Sequence, residues 1–322
     1  MNTKHKHIEH KLSILFLVML VFIGVFLMLG VNFSNFRFLI GLRIPKLFGI
    51  ILSGICISVS TLIFLTITNS RILTPSVMGL DAMYVFLQTA IFFIFHKFIP
   101  ILSDDIVKFF LTIVAMVFIT SSLQKLFSGN SKGKILYMVL IGMVTGTFLD
   151  SLSNSMQVIM DPNEFLILQS SLFASYNTIN IYLLIIAYII LGVVIYFIIG
   201  EHNQLDVLSL GHDQAINLGL DYNRILKKYL VVISILVSIS TALVGPITFL
   251  GLLTVNIAKE LFSTYKHIYL SIAGIVLNII FLIFGQLLVE KVFNNSISIG
   301  TIINFVGGIY LLNILLKERK IA

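Results

Sequence analysis

The chain has 322 residues, 58% of them hydrophobic and 11% charged, with a formal net charge of +7. A soluble domain carries about twice that charge, so a soluble fold is excluded. The basic excess is no sign of nucleic acid either, because Lys and Arg lie between apolar runs, the ordinary topology signal.

Those runs reach roughly 18 to 20 residues, enough to cross a bilayer as helices. A backbone in hydrocarbon must satisfy its own hydrogen bonds, so the runs are helical. The expectation is an all-α polytopic membrane protein, a single transmembrane domain over 1–322. Its N-terminus has a basic lead and an apolar run without a small-residue cleavage site, which reads as a retained first span. Cys56 is the sole cysteine, so no intrachain disulfide forms.

In chain order, spans are expected at 12–31, 47–67, 80–99, 106–123, 135–159, 180–199, 229–249, 252–265, 268–289 and 300–316. The eighth is weak, being short and carrying Asn256, Lys259 and Glu260. Charge decides for ten spans over nine. With the N-terminus inside, inner segments hold Lys4, Lys6, Lys11, Arg71, Lys125, Lys132, Lys134, Arg224, Lys227, Lys228, Lys259, Lys266, Lys317, Arg319 and Lys320. The outer ones hold Arg37, Arg43, Lys46, Lys97, Lys108 and Lys291. Both termini are then cytoplasmic. All loops are expected to be short.

Polar residues at membrane depth mark bundle contacts or aqueous paths. Gly54, Ser58 and Ser60 in the second span read as small packing residues. In the third, Asp81, Tyr84 and Gln88 share a face after RILTPSVMG, where Pro75 and Gly79 interrupt the helix. Such breaks border substrate paths or start an ordinary kinked helix. In the fifth, Thr147, Asp150, Ser151, Asn154 and Ser155 fall at i, i+3, i+4, i+7 and i+8, one face of a helix. That face lines a pore or supplies interhelical hydrogen bonds, and Gly142 and Gly146 before it allow close helix approach.

The segment FSGNSKGKILY imitates a phosphate loop, but Gly129 to Gly133 has the wrong spacing and Ile135 follows Lys134. His5, His7 and His10 belong to a solvated terminus rather than a metal site. No paired carboxylates, His–Glu cluster or Ser–His arrangement supports an enzyme, and no cofactor is expected. SLGHDQAINLGLDYNRILKKY, 209–229, is different: two short helical pieces joined at Gly219, which suits a left-handed helix end. Asp221 or Asn223 can cap the next helix. This polar knob either docks into a partner or lies on the lipid surface.

Four stretches carry a resemblance: LRIPKLFGIILSGICISVSTLIF, RILTPSVMGLD, LDVLSLGHDQAINLGLDYNR and LVGPITFLGLL. In this order they resemble the FecCD-type permeases of iron-siderophore and vitamin B12 ABC importers, most of all the catechol-siderophore ones. The resemblance implies the type II importer permease fold, with two permeases enclosing a path and two cytoplasmic ATPase subunits. An extracytoplasmic binding protein then delivers ferric siderophore, with cobalamin or haem as the alternative cargo. His212, Asp213, Gln214, Asn217 and Gly219 match the coupling helix, and Val77, Met78 and Leu80 the cytoplasmic gate. Arg43 and Lys46 match outward residues that pair with the binding protein. The path is expected along Thr147, Asp150, Ser151, Asn154 and, from the tenth span, Asn304.

Two departures stand out. Ser70-Arg71 replaces the family's Asn-Pro. After GPITFLGLL, Thr254, Val255 and Asn256, with Lys259 beyond, replace its Pro-His and Arg. The divergence suggests one half of an unequal permease pair. An ion-coupled transporter, with Asp150 as coupling acid, is the competing class.

Overall fold

The computed structural model describes residues 2–29, 36–95, 104–126 and 134–319. The glycine-rich imitation of a phosphate loop at 129–133 lies outside them. Among the described residues every regular element is a helix and there is no strand. Ten helices occupy the ten expected positions. They are α1 (Asn2–Met28), α2 (Phe36–Ile67), α3 (Leu80–Ala90), α4 (Asp105–Leu126), α5 (Lys134–Ile159), α7 (Ile181–Ile199), α10 (Tyr222–Val244), α11 (Leu250–Phe262), α12 (His267–Lys291) and α13 (Ile299–Arg319). Among the described residues, seven of the helices are long and apolar enough to cross a membrane. The third position holds a shorter apolar stretch, Leu80–Ile94.

α2 is the axis of the bundle, packing against α7, α10, α11 and α12. Small residues set its distance from α12, as the sequence pattern predicts. A Cβ on Gly54 would stand 3.0 Å from the Ile279 side chain, and one on Gly274 would stand 2.5 Å from Ser58 Oγ. Asn278 of α12 donates to the Gly54 carbonyl at 3.0 Å and accepts from Thr254 of α11 at 2.6 Å. These buried polar groups satisfy one another where no water reaches.

Two features differ from the expectation. The connection between the fifth and sixth spans is long and contains its own helix, α6 (Pro162–Leu172). Asp161 caps it by accepting from Asn163 N at 2.9 Å, and Pro162 starts it. An N-cap acid followed by proline is a helix start, so this element was readable from DPNE. The eighth position is no full span. α11 has 13 residues and rises about 20 Å, short of a hydrocarbon core about 30 Å thick. The backbone before it, Gly245 to Phe249, is not helical, and non-helical backbone at depth is tolerated only where protein covers it. Cover comes from the segment after α6: Ser175 N donates to Val244 O at 2.9 Å, and a Cβ on Gly245 would meet Ala174 Cα at 2.9 Å.

Candidate functional site

A four-residue 3-10 turn, Pro75–Met78, leads into α3 through Gly79, which has φ 77°. Three glycines let this turn touch α5 backbone to backbone. A Cβ on Gly142 would lie 2.8 Å from Met78 Cα, and one on Gly146 would lie 2.9 Å from Gly79 Cα. Met78 and Leu80 are buried and Val77 is half-buried. The predicted gate segment and the predicted path helix are therefore in direct contact.

The α5 face beside and beyond those glycines is open. Thr147, Asp150, Ser151, Asn154 and Ser155 are all exposed on the single chain, while Leu149 and Ser153 are buried. The hydroxyls of Thr147, Ser151 and Ser155 each donate to the carbonyl four residues back. Among the described residues these hydroxyls donate to their own helix and to no other. The open face is wider than its polar stripe, because Val144 and Phe148 are also exposed, at 64% and 61%.

Around the turn a polar network closes. Thr248, in the non-helical segment before α11, donates its hydroxyl to Asp81 Oδ2 at 3.0 Å. Its backbone N–H donates to Asn304 Oδ1 of α13 at 3.3 Å. Ser76 also hydrogen-bonds Asp81, and Asp150 lies near enough for the two carboxylates to interact. Asn304 and Asp150 thus converge on the turn from two different helices. Thr248 was not anticipated, although GPITF sits in a matched motif. Tyr84 and Gln88 leave this group: Tyr84 donates to Ser171 O and Gln88 to Thr112 Oγ1, both acting as glue between helices.

The knob holds two short helices, α8 (His202–Leu208) and α9 (His212–Asn217). Gly219 ends the second with φ 84°, and Asp221 caps α10 by accepting from Arg224 N at 3.2 Å. Asp213, Gln214 and Asn217 are exposed. His212 pairs with Asp213 at 3.0 Å and sets its ring edge-on to Tyr222. Missing from the sequence reading are three exposed apolar side chains here: Leu210 at 56%, Ile216 at 47% and Leu218 at 61%. Charged contacts fix the knob to the bundle. Lys228 of α10 pairs with Glu201. Asp206 of α8 accepts from His267 N at 2.8 Å and contacts His267 Nδ1 at 2.6 Å. The other ring nitrogen meets Thr66 of α2 at 2.8 Å.

At the far end of the bundle Arg43 and Lys46 are already occupied. Arg43 is buried, and its guanidinium donates to the carbonyls of Phe26, Leu27 and Leu29 at 2.7, 3.1 and 2.7 Å. Those carbonyls end α1 and lack helical partners. In the single chain Arg43, expected to reach outward, has its charge engaged in capping a helix end. Lys46 is half-buried, paired with Glu290 at 2.9 Å and bonded to Asn177 at 2.8 Å. No group of three or more His, Cys, Asp or Glu able to hold a metal gathers among the described residues.

Comparison with known proteins extends this geometry. The FecCD transport family model matches residues 11–317. The petrobactin import system permease protein YclO of Bacillus subtilis (strain 168) is 44% identical over 313 residues, covering 97% of this chain and 98% of that one. The petrobactin import system permease protein YclN of the same organism is 23% identical over 298 residues, covering 87% and 86%. A solved chain described as an inward-facing conformation of a metal-chelate type ABC transporter superposes with a TM-score of 0.84 at 20% identity. It covers 96% of this chain and 99% of its own.

Proposed function

The chain belongs to the FecCD transport family and is a permease subunit without an enzymatic site of its own; from that premise we propose that it carries a ferric siderophore of the petrobactin kind into the cytoplasm. The carrying observation is 44% identity to a petrobactin import permease along nearly the whole of both chains. A catecholate-type cargo belongs to the same proposal.

The partner is a second permease of unequal sequence. B. subtilis has two petrobactin permeases, YclO and YclN, and this chain matches them at 44% and 23%. The uncovered α5 face is where the second subunit and the path would lie. Asp150, Asn154, Asn304 and the Asp81–Thr248 pair would hydrate that path, and Val77, Met78 and Leu80 would close it. The knob is the cytoplasmic dock for an ATPase subunit that hydrolyses ATP. Its exposed Leu210, Ile216 and Leu218 supply the apolar contact, and Asp213, Gln214 and Asn217 its rim. Both termini then face the cytoplasm. A binding protein approaches the opposite end, where Lys46 can exchange Glu290 for a partner carboxylate while Arg43 holds the helix end beneath it.

The test is uptake of iron-labelled petrobactin in cells deleted for this chain. Uptake should vanish on deletion and return on complementation, while cobalamin and haem uptake stay unchanged. ATP depletion should stop it, and collapse of the proton gradient with ATP maintained should not. The reverse dependence would replace this reading with an ion-coupled transporter using Asp150.

A further inference from the structure

A cavity of about 350 Å³ lies at the knob end, between the last turn of α2, the end of α11 and the start of α12. Arg71 enters it from the loop after α2, and Lys259 from α11. Their charges act on one another, and Lys259 also acts on His267 in the same cavity. Neither cation has a hydrogen-bond or ion-pair partner among the described residues. The nearby carboxylate, Asp206, is engaged by His267, and Glu260 lies where it acts on Tyr310 of α13. Ser70, Ser263 and Thr264 add hydroxyls to the lining. The site is held in shape: Asn256 of α11 donates to the Arg71 carbonyl at 2.9 Å.

Two like charges facing one cleft, Arg71 at its open side and Lys259 half-buried, repel unless something negative joins them. The loop after α2, through Ser70 and Arg71, and the last turn of α11, through Lys259, meet across this one cavity. We propose that the cavity binds a phosphate group, bridging Arg71 and Lys259. A phosphate offers several acceptor oxygens to a guanidinium fork, an ammonium and hydroxyls at once. Its source is either a lipid headgroup or a free phosphate in the cytoplasm. Because Arg71 stands four residues before the turn Pro75–Met78, an occupied site ties the end of α11 to the segment that leads into the gate.

The experiment follows the reactivity of Lys259 in the full chain, purified in neutral detergent, toward a small water-soluble amine reagent, read by peptide mass. One arm adds sodium phosphate against sodium chloride at equal ionic strength. The other adds short-chain phosphatidylglycerol against phosphatidylcholine with the same chains. Labelling of Lys259 should slow about tenfold at ten times the half-saturating concentration, with Lys266 unaffected. Protection by phosphatidylglycerol alone assigns a lipid headgroup, and protection by inorganic phosphate as well assigns a free anion; both uphold the site. Arg71→Gln should abolish the protection, and Arg71→Lys, which keeps the charge without the fork, should weaken it. Unchanged labelling in both arms overturns the proposal, as does equal protection in the Arg71 variants. Protection that requires the ATPase subunit overturns it too, because the occupant is then an acidic side chain of that partner.

Discussion

Gly142 and Gly146 are defined by the backbone they touch. Each Cβ would fall within 3 Å of main-chain atoms of the turn 75–79, and main chain cannot swing aside as a side-chain tip can. Gly146→Ala is therefore expected to cost about 1–3 kcal/mol by overpacking. A lower thermal midpoint in detergent, together with reduced uptake, checks this. Asp150 is open to its surroundings on the single chain, whereas Asp81 is bonded to Ser76 and Thr248. Asp150→Asn should accordingly retain partial transport. Asp81→Asn should impair transport more, because it leaves Thr248 and Ser76 facing an amide that can donate as well as accept. Side-by-side uptake rates decide, and equal, complete loss in both would mean that Asp150 has a proton-carrying role.

Elements differ in how they are fastened. The knob has two attachments to the bundle, the ion pair Glu201–Lys228 and the hydrogen bonds from His267 to Asp206. Removing the second by Asp206→Ala should cost about 1.5–3 kcal/mol, the range for a hydrogen bond to a charged group. It should also leave ATP hydrolysis by the partner running without matching uptake. Loss of both activities in equal proportion would show that Asp206 only stabilises the fold. Leu218→Glu should prevent co-purification with the ATPase subunit while the permease stays folded. Gly219→Val acts differently. Open space surrounds that position, so its cost is the left-handed φ alone, and reduced substrate-stimulated ATPase activity with normal membrane insertion is expected. The turn at Gly219 and the Asp221 cap were legible because both have local causes. The apolar patch beside them was not. Leu210, Ile216 and Leu218 are indistinguishable in sequence from core leucines until the fold leaves them uncovered.

For the whole molecule, composition and charge were enough to read ten helices and their order. What they could not reveal was depth. The short run and the Asn256, Lys259 and Glu260 in LLTVNIAKELF marked the eighth span as weak, but not where α11 begins, which follows from the buried extended segment before it. Long-range partners were equally hidden. The outward role of Arg43 came from the resemblance alone, while the carbonyls it binds lie at the end of α1, sixteen or so residues away. Assembly supplies another test of the open α5 face. Cysteines at 150, 151 and 154 should react with a water-soluble thiol reagent in the assembled transporter, and those at 144 and 148 should not. In the isolated chain in detergent all five are uncovered. Cys56 is fully buried and adds little background. Uniform labelling around the helix after assembly would remove the path from this face.

The glycine crossing between the turn 75–79 and α5 also bears on friction. Ordinary helix contacts interlock ridge into groove, so relative sliding requires side chains to leave their rotamers. Where backbone meets backbone there are no ridges, so at this crossing a displacement of the turn along α5 meets no interlocking side chains. A methyl group at Gly142 would place one there. Transport by Gly142→Ala should then depend more steeply on temperature than transport by the native chain, with the difference narrowing on warming.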